Sequence, residues 1–147
     1  MTDNTEIRNF QSGKLILQLK VTLAADRNAV DPVVQSVMEL VRRMHGVPDK
    51  DDAIELALTE ALGNAVVHGA KADPSKTVEC DVVCNEDQSM LIVVRDPGTG
   101  FNVADIPSPT RGESVYSDHG RGIYLINQLM DEVKFLKNGT EIHMIKR

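Results

Sequence analysis

The sequence has 147 residues, the usual size of one domain. Its 16 basic residues face 22 acidic ones, a net charge of -6, and aromatic residues make up only 3%. Nucleic-acid binders stack bases on aromatics and present a basic patch, so this composition argues against direct binding to nucleic acid or to an anionic membrane. Protein partners stay open.

Hydrophobic residues amount to 41%, enough for one ordinary core. Cys80 and Cys84 stand in "ECDVVC", which is neither a CxxC pair nor part of a zinc-spaced cluster. Reduced structural thiols in a cytoplasmic protein are expected. No apolar run approaches the ~20 residues of a membrane span. The opening "MTDNTEIRNF" lacks a signal-peptide core.

Residues 1–13 read as a polar tail and residues 14–147 as a single domain. "KLILQLKVTL" alternates as a strand. From Asn28 the period becomes helical, with Val30, Val33, Val34, Val37, Met38, Val41 and Met44 on one side. Asp26 or Asn28 can cap this helix, and Gly46 with Pro48 stops it. "PDKDDAIELALTEALGNAVVHGA" predicts a second helix with acids in its first turn. "KTVECDVVCNE" and "SMLIVVRD" predict two strands around a short polar turn. "PGTGFNVADIPSPTRGESVYSDHGRG" has no sustained period. "GIYLINQLMDEV" resumes helical spacing through Ile123, Ile126, Leu129, Met130 and Val133. Two final strands meet at Asn138-Gly139, a strong hairpin signal. The order β-α-α-β-β-loop-α-β-β predicts a two-layer α/β sandwich, its sheet mostly antiparallel and its helices on one face.

Three stretches carry chemistry. On the second helix, Glu60, Asn64 and His68 follow one another at one-turn spacing, opposite a broad apolar face of Ile54, Leu58, Ala61, Leu62, Ala65 and Val66. A solvated stripe should come with Lys or Arg at i+3 or i+4, and none occurs between Lys50 and Lys71. That disfavours a solvated face and favours a cleft, with a satisfied structural pair as the alternative. His68 by itself reads sooner as a helix-end or packing histidine. In "VVRDPGTGF", Asp96 at a strand end precedes Gly98 and Gly100. Glycine lets a backbone approach a flat ligand, and an ionised carboxylate accepts from an exocyclic amine. In "DHGRGIYLI", Gly120-Arg121-Gly122 opens a helix, where backbone N–H groups and the dipole favour phosphate. Each glycine pair alone also reads as a plain turn. There is no P-loop and no dinucleotide fingerprint. Residues 102–119 exceed the usual loop length and suit a ligand lid.

Together, "EALGNAVVHG", "RDPGTGF" and "GRGIYLINQLMDEV", in this order and spacing, resemble the N, G1 and G2 boxes of the GHKL (Bergerat-fold) ATPases. Within that superfamily the chain looks most like the small bacterial anti-sigma factor serine kinases. The resemblance implies a Bergerat sandwich that binds Mg-ATP under a lid. It places Asn64 at the Mg2+-ligating position and Glu60 at that of the general base. It makes Asp96 the adenine reader, with Gly98 and Gly100 shaping the base pocket. Gly120, Arg121 and Gly122 fall on the phosphate side, Thr140 near adenine and His68 near the nucleotide. It further implies a sigma factor and its anti-sigma antagonist as partners, and suggests a dimer. Gly63 stands where the family often has threonine. The alternative from the same boxes is a non-catalytic ATP-binding switch that regulates a phosphatase or receptor.

Overall fold

A computed structural model describes residues 15–44, 48–99 and 118–147. The chain runs β1 (Leu15–Ala24), α1 (Arg27–Met44), α2 (Pro48–Asn64), β2 (Thr77–Asn85), β3 (Met90–Arg95), α3 (Asp118–Leu129), β4 (Glu132–Leu136) and β5 (Glu141–Lys146). The sheet order is β1-β2-β3-β5-β4, and every neighbouring pair is antiparallel. The expected two-layer architecture is therefore observed, with a sheet more uniform than expected.

The side-chain period of two divides β2, β3 and β5 into two faces. Cys80, Val82 and Cys84, then Met90, Ile92 and Val94, then Ile142 and Met144, all join the large core that includes the helices. Val83, Leu91, Val93 and Ile145 form a second, smaller cluster on the opposite face. Both faces of these strands are buried, which explains why "MLIVVR" reads as a continuous apolar run rather than an alternation.

Asp26 caps α1, accepting from the backbone N–H of Asn28 at 2.9 Å. Val30, Val34, Val37, Met38 and Val41 are buried at the helical spacing expected. Helix α2 lies between α1 and α3 and packs on both. Ile54, Leu58, Ala61, Leu62, Ala65 and Val66 are all buried, as its wheel predicts. The α-helix ends at Asn64, however, and Ala65–Gly69 form a wider π turn. Its closing bond runs from the Ala70 N–H to the Ala65 carbonyl at 2.8 Å. Lys71 and Ala72 then take left-handed φ of 54° and 52°.

The third helix is shorter than its spacing suggests. It stops at Leu129, and Val133 belongs to β4 instead. Sheet pairing wins here: the Asp131 N–H donates to the Ile145 carbonyl at 2.9 Å, and Lys146 Nζ caps the Leu129 carbonyl at 2.8 Å. The β4–β5 turn falls at Lys137–Gly139, with positive φ at all three residues.

Candidate functional site

Three connections meet at one end of the sheet: the segment after α2, the residues following β3, and the β4–β5 turn. Between them and α3 lies a cavity of about 280 Å³. Its lining is part polar and part aliphatic, the aliphatic part being Ala61 and Ala65 from α2 and its π turn, Val94 and Ile142 from the sheet, and Ile123 and Ile126 from α3. Small and branched side chains on facing elements leave a slot rather than a filled core. Aliphatic side chains beside convergent polar groups are the usual character of a small-molecule site.

Asp96 is the acidic group of this slot. Its backbone N–H donates to the Thr140 carbonyl at 2.9 Å, one step past the end of β3. One side-chain oxygen, Oδ1, accepts from the Gly98 N–H at 2.8 Å. Burial pushes the carboxyl above the usual carboxylate range, and the Gly98 bond opposes that shift. The carboxylate rests in a cradle of two glycines. A Cβ on Gly69 would stand 2.2 Å from Asp96 Cγ, and one on Gly98 would stand 2.2 Å from the Gly69 carbonyl oxygen. The close approach therefore requires glycine at both positions. Thr140 lines the same end, its hydroxyl donating to the Lys137 carbonyl at 2.8 Å and keeping its own acceptor capacity.

Asn64 lines the cavity farther along α2, with His68 one turn on. Glu60 is not a lining residue. It stands one turn before Asn64, against Gly122, one turn into α3. A Cβ on Gly122 would meet Glu60 Oε2 at 2.8 Å and Asn64 Nδ2 at 3.1 Å. The absence of a side chain at Gly122 thus lets the carboxylate and the amide stand against one helix start. Gly120-Arg121-Gly122 lies within α3 rather than before it, since the helix begins at Asp118. Asp118 and His119, the end of the expected lid, are already helical. The rest of that lid and Gly100 lie outside the described residues, as does the side chain of Arg121.

Glu60, Asn64, His68, Asp96, Gly98, Gly122 and Thr140 are thus brought to one neighbourhood from four separate segments. Sequence reasoning missed Gly69, Lys71 and Lys76, all of which line the cavity. Gly69 carried a signal, since it ends the polar stripe one residue after His68. The lysines carried none beyond their place in a connection without regular structure. Cys80 and Cys84 are buried thiols facing the core, and burial pushes both up to about 12. No helix of the described residues is long and apolar enough to cross a membrane.

A slot lined by a glycine-cradled acid and an amide, with a carboxylate next to that amide, has the make-up of a nucleotide-binding domain. The chain matches the histidine kinase-like ATPase domain over residues 23–146 and belongs to that family, among the bacterial anti-sigma factor serine-protein kinases. ATP use comes with that membership. The chain is 30% identical over 134 residues to the anti-sigma F factor of Bacillus cytotoxicus, covering 86% of this chain and 80% of that one. It is 33% identical over 105 residues to the serine-protein kinase RsbW of Bacillus licheniformis, covering 67% of this chain and 65% of that one. The fold is similar to a structure of RsbU and RsbW domains from Mycobacterium tuberculosis, with a TM-score of 0.61 at 18% identity. That match covers 88% of this chain and 31% of the longer one. A SiaB-SiaC complex from Pseudomonas aeruginosa gives a TM-score of 0.53 at 11% identity, covering 99% of this chain and 96% of that one.

Proposed function

We propose that this protein is a protein-serine kinase that uses Mg-ATP, sequesters a sigma factor and phosphorylates a serine on that factor's antagonist. One observation carries the reading: Asp96 in its glycine cradle and Asn64 line one slot, and Glu60 stands beside Asn64 against Gly122. The names of the similar proteins, an anti-sigma F factor and a serine-protein kinase, support the partner and the reaction.

The slot takes the purine between aliphatic walls. Asp96 has Oδ2 available to accept from the exocyclic amine while Oδ1 stays fixed by Gly98. Thr140 offers a hydroxyl beside it, and His68 contacts the nucleotide farther out. The first turn of α3 presents backbone N–H groups and its positive dipole end to the phosphates, with Arg121 as a charge partner. Among the described residues there is no group of three His, Cys, Asp or Glu able to hold a metal. A lone amide oxygen from Asn64 fits Mg2+ nonetheless, because that ion arrives with its triphosphate and keeps several waters. When bound, Mg2+ neutralises phosphate charge. Glu60 would accept the proton of the attacking serine hydroxyl as the serine oxygen bonds to the γ-phosphorus and the bond from that phosphorus to the β–γ bridging oxygen breaks, with ADP as the leaving group. A dimer in the cytoplasm belongs to the same proposal.

The test is to mix the protein with Mg-ATP and its candidate antagonist and look for phosphoserine. Phosphoserine on the antagonist is expected. Normal ATP binding without any phosphoserine defeats the kinase reading and leaves a nucleotide-dependent switch.

A further inference from the structure

On the face of the sheet away from the helices, Arg95 binds two carboxylates. Its Nη1 donates to Asp81 Oδ2 at 2.7 Å, and its Nε lies 3.4 Å from Glu141 Oε1. His143 Nε2 donates to the same Glu141 oxygen at 2.8 Å, and its Nδ1 is buried with no partner among the described residues. Glu141 and His143 are each 2% exposed and Asp81 8%. Burial alone would push the Arg95 guanidinium down. Its bond to Asp81 and the charges of Asp81 and Glu141 hold it above its ordinary value instead.

This cluster lies outside the slot but is tied to it by the chain. Along β3, Val94 and Asp96 line the cavity while Arg95 points the other way. Along β5, Thr140 and Ile142 line it while Glu141 points the other way. Arg95 and Glu141 are directly paired and form the last rung of the β3–β5 ladder. Asp96 and Thr140 extend from that rung by one residue each, joined by the 2.9 Å backbone bond between them. Strand ends open readily when nothing beyond the ladder holds them. Here a guanidinium on the back face clamps the terminal rung and reaches β2 as well.

We propose that Arg95, held by Asp81 and Glu141, is a positioning residue for base recognition, fixing the Asp96–Thr140 spacing that reads the purine's exocyclic amine. The inference rests on the nucleotide reading above and adds a specificity element that never touches the ligand.

The test measures binding of Mg-ATP and of Mg-purine riboside triphosphate, which lacks the amine, to the full chain. Glu141→Gln keeps an acceptor for His143 and removes one of the two charges that Arg95 faces, the one on the terminal rung. Arg95→Lys keeps a charge but not the fork that spans two carboxylates. Each should weaken ATP binding about tenfold, the worth of one charge-assisted hydrogen bond, and leave the analogue unchanged. If one variant fails to fold, the other gives the answer. A lowered melting temperature with the wild-type ratio of ATP to analogue affinity would assign the cluster to stability alone and overturn the proposal. A wild-type protein that binds neither nucleotide would overturn the underlying reading, and the inference with it.

Discussion

Gly69→Ala puts one methyl group where the structure has none to spare. The new Cβ would lie 2.2 Å from Asp96 Cγ and 2.5 Å from each carboxylate oxygen. Carbon–carbon contacts are comfortable only at about 3.5–4.0 Å, so something must move by more than an ångström. The obstacle is the end of a side chain and not backbone, so Asp96 yields by rotating out of its cradle. The fold should lose little, within the ~1–3 kcal/mol of an overpacked site. Recognition should lose more. A hydrogen bond to a charged group is worth about 1.5–3 kcal/mol, which predicts ATP binding weaker by roughly 10- to 100-fold. Purine riboside triphosphate, with no amine to offer Asp96, should lose far less. Isothermal titration with both nucleotides, beside a thermal melt of each protein, reads all of this. Unchanged ATP affinity in a folded Gly69→Ala protein, or an equal loss for both nucleotides, would refute the claim that this carboxylate reads the base. Gly98→Ala is the harsher change, because its Cβ meets the Gly69 carbonyl oxygen, which only a backbone shift can relieve.

Asp96→Asn should stabilise the nucleotide-free protein at neutral pH while abolishing adenine recognition. Burial raises the folded-state value of this carboxyl, so the folded protein binds its proton more tightly than the unfolded chain does. Stability from this group is full at pH below the unfolded value and is lost as pH rises through the raised folded one. The gain from Asn should therefore vanish in acid, and melts across that range will show whether it does. Glu60→Gln should leave ATP affinity nearly intact and lower phosphoryl transfer by about 10²–10⁴-fold, the usual worth of a general base. An unchanged single-turnover rate would remove Glu60 from that role. Cys80 and Cys84 should resist alkylation by iodoacetamide in the native protein and react only on unfolding, since burial holds both thiols at about 12. Rapid labelling of the folded chain would contradict their place in the core.

Much of the fold was readable from residue spacing. The apolar faces of α1 and α2 appear in the sequence at helical period, and burial of Val34, Met38, Leu58 and Leu62 follows from it. The Asn138-Gly139 hairpin was equally plain, because left-handed turns select such residues. Boundaries were less so. Val133 continues the period of α3 but lies in β4, because pairing with β5 outcompetes another helical turn. The π turn at Ala65–Gly69 left no mark in composition, since it depends on which carbonyl the Ala70 N–H reaches.

The sequence by itself determined which polar groups interrupt apolar elements: Glu60 and Asn64 on a helix, Asp96 at a strand end, and glycines where a backbone must come close. These are local properties, set by side-chain chemistry and by periods of 3.6 and 2.0. Only the tertiary structure decided that Gly69 from one segment is the floor under Asp96 of another, and that Gly122 makes room for Glu60 and Asn64. It alone placed Arg95, Asp81, Glu141 and His143 together behind the slot. Those meetings arise from sheet register and strand order, which join residues far apart in the chain, and no local pattern encodes a distance between them.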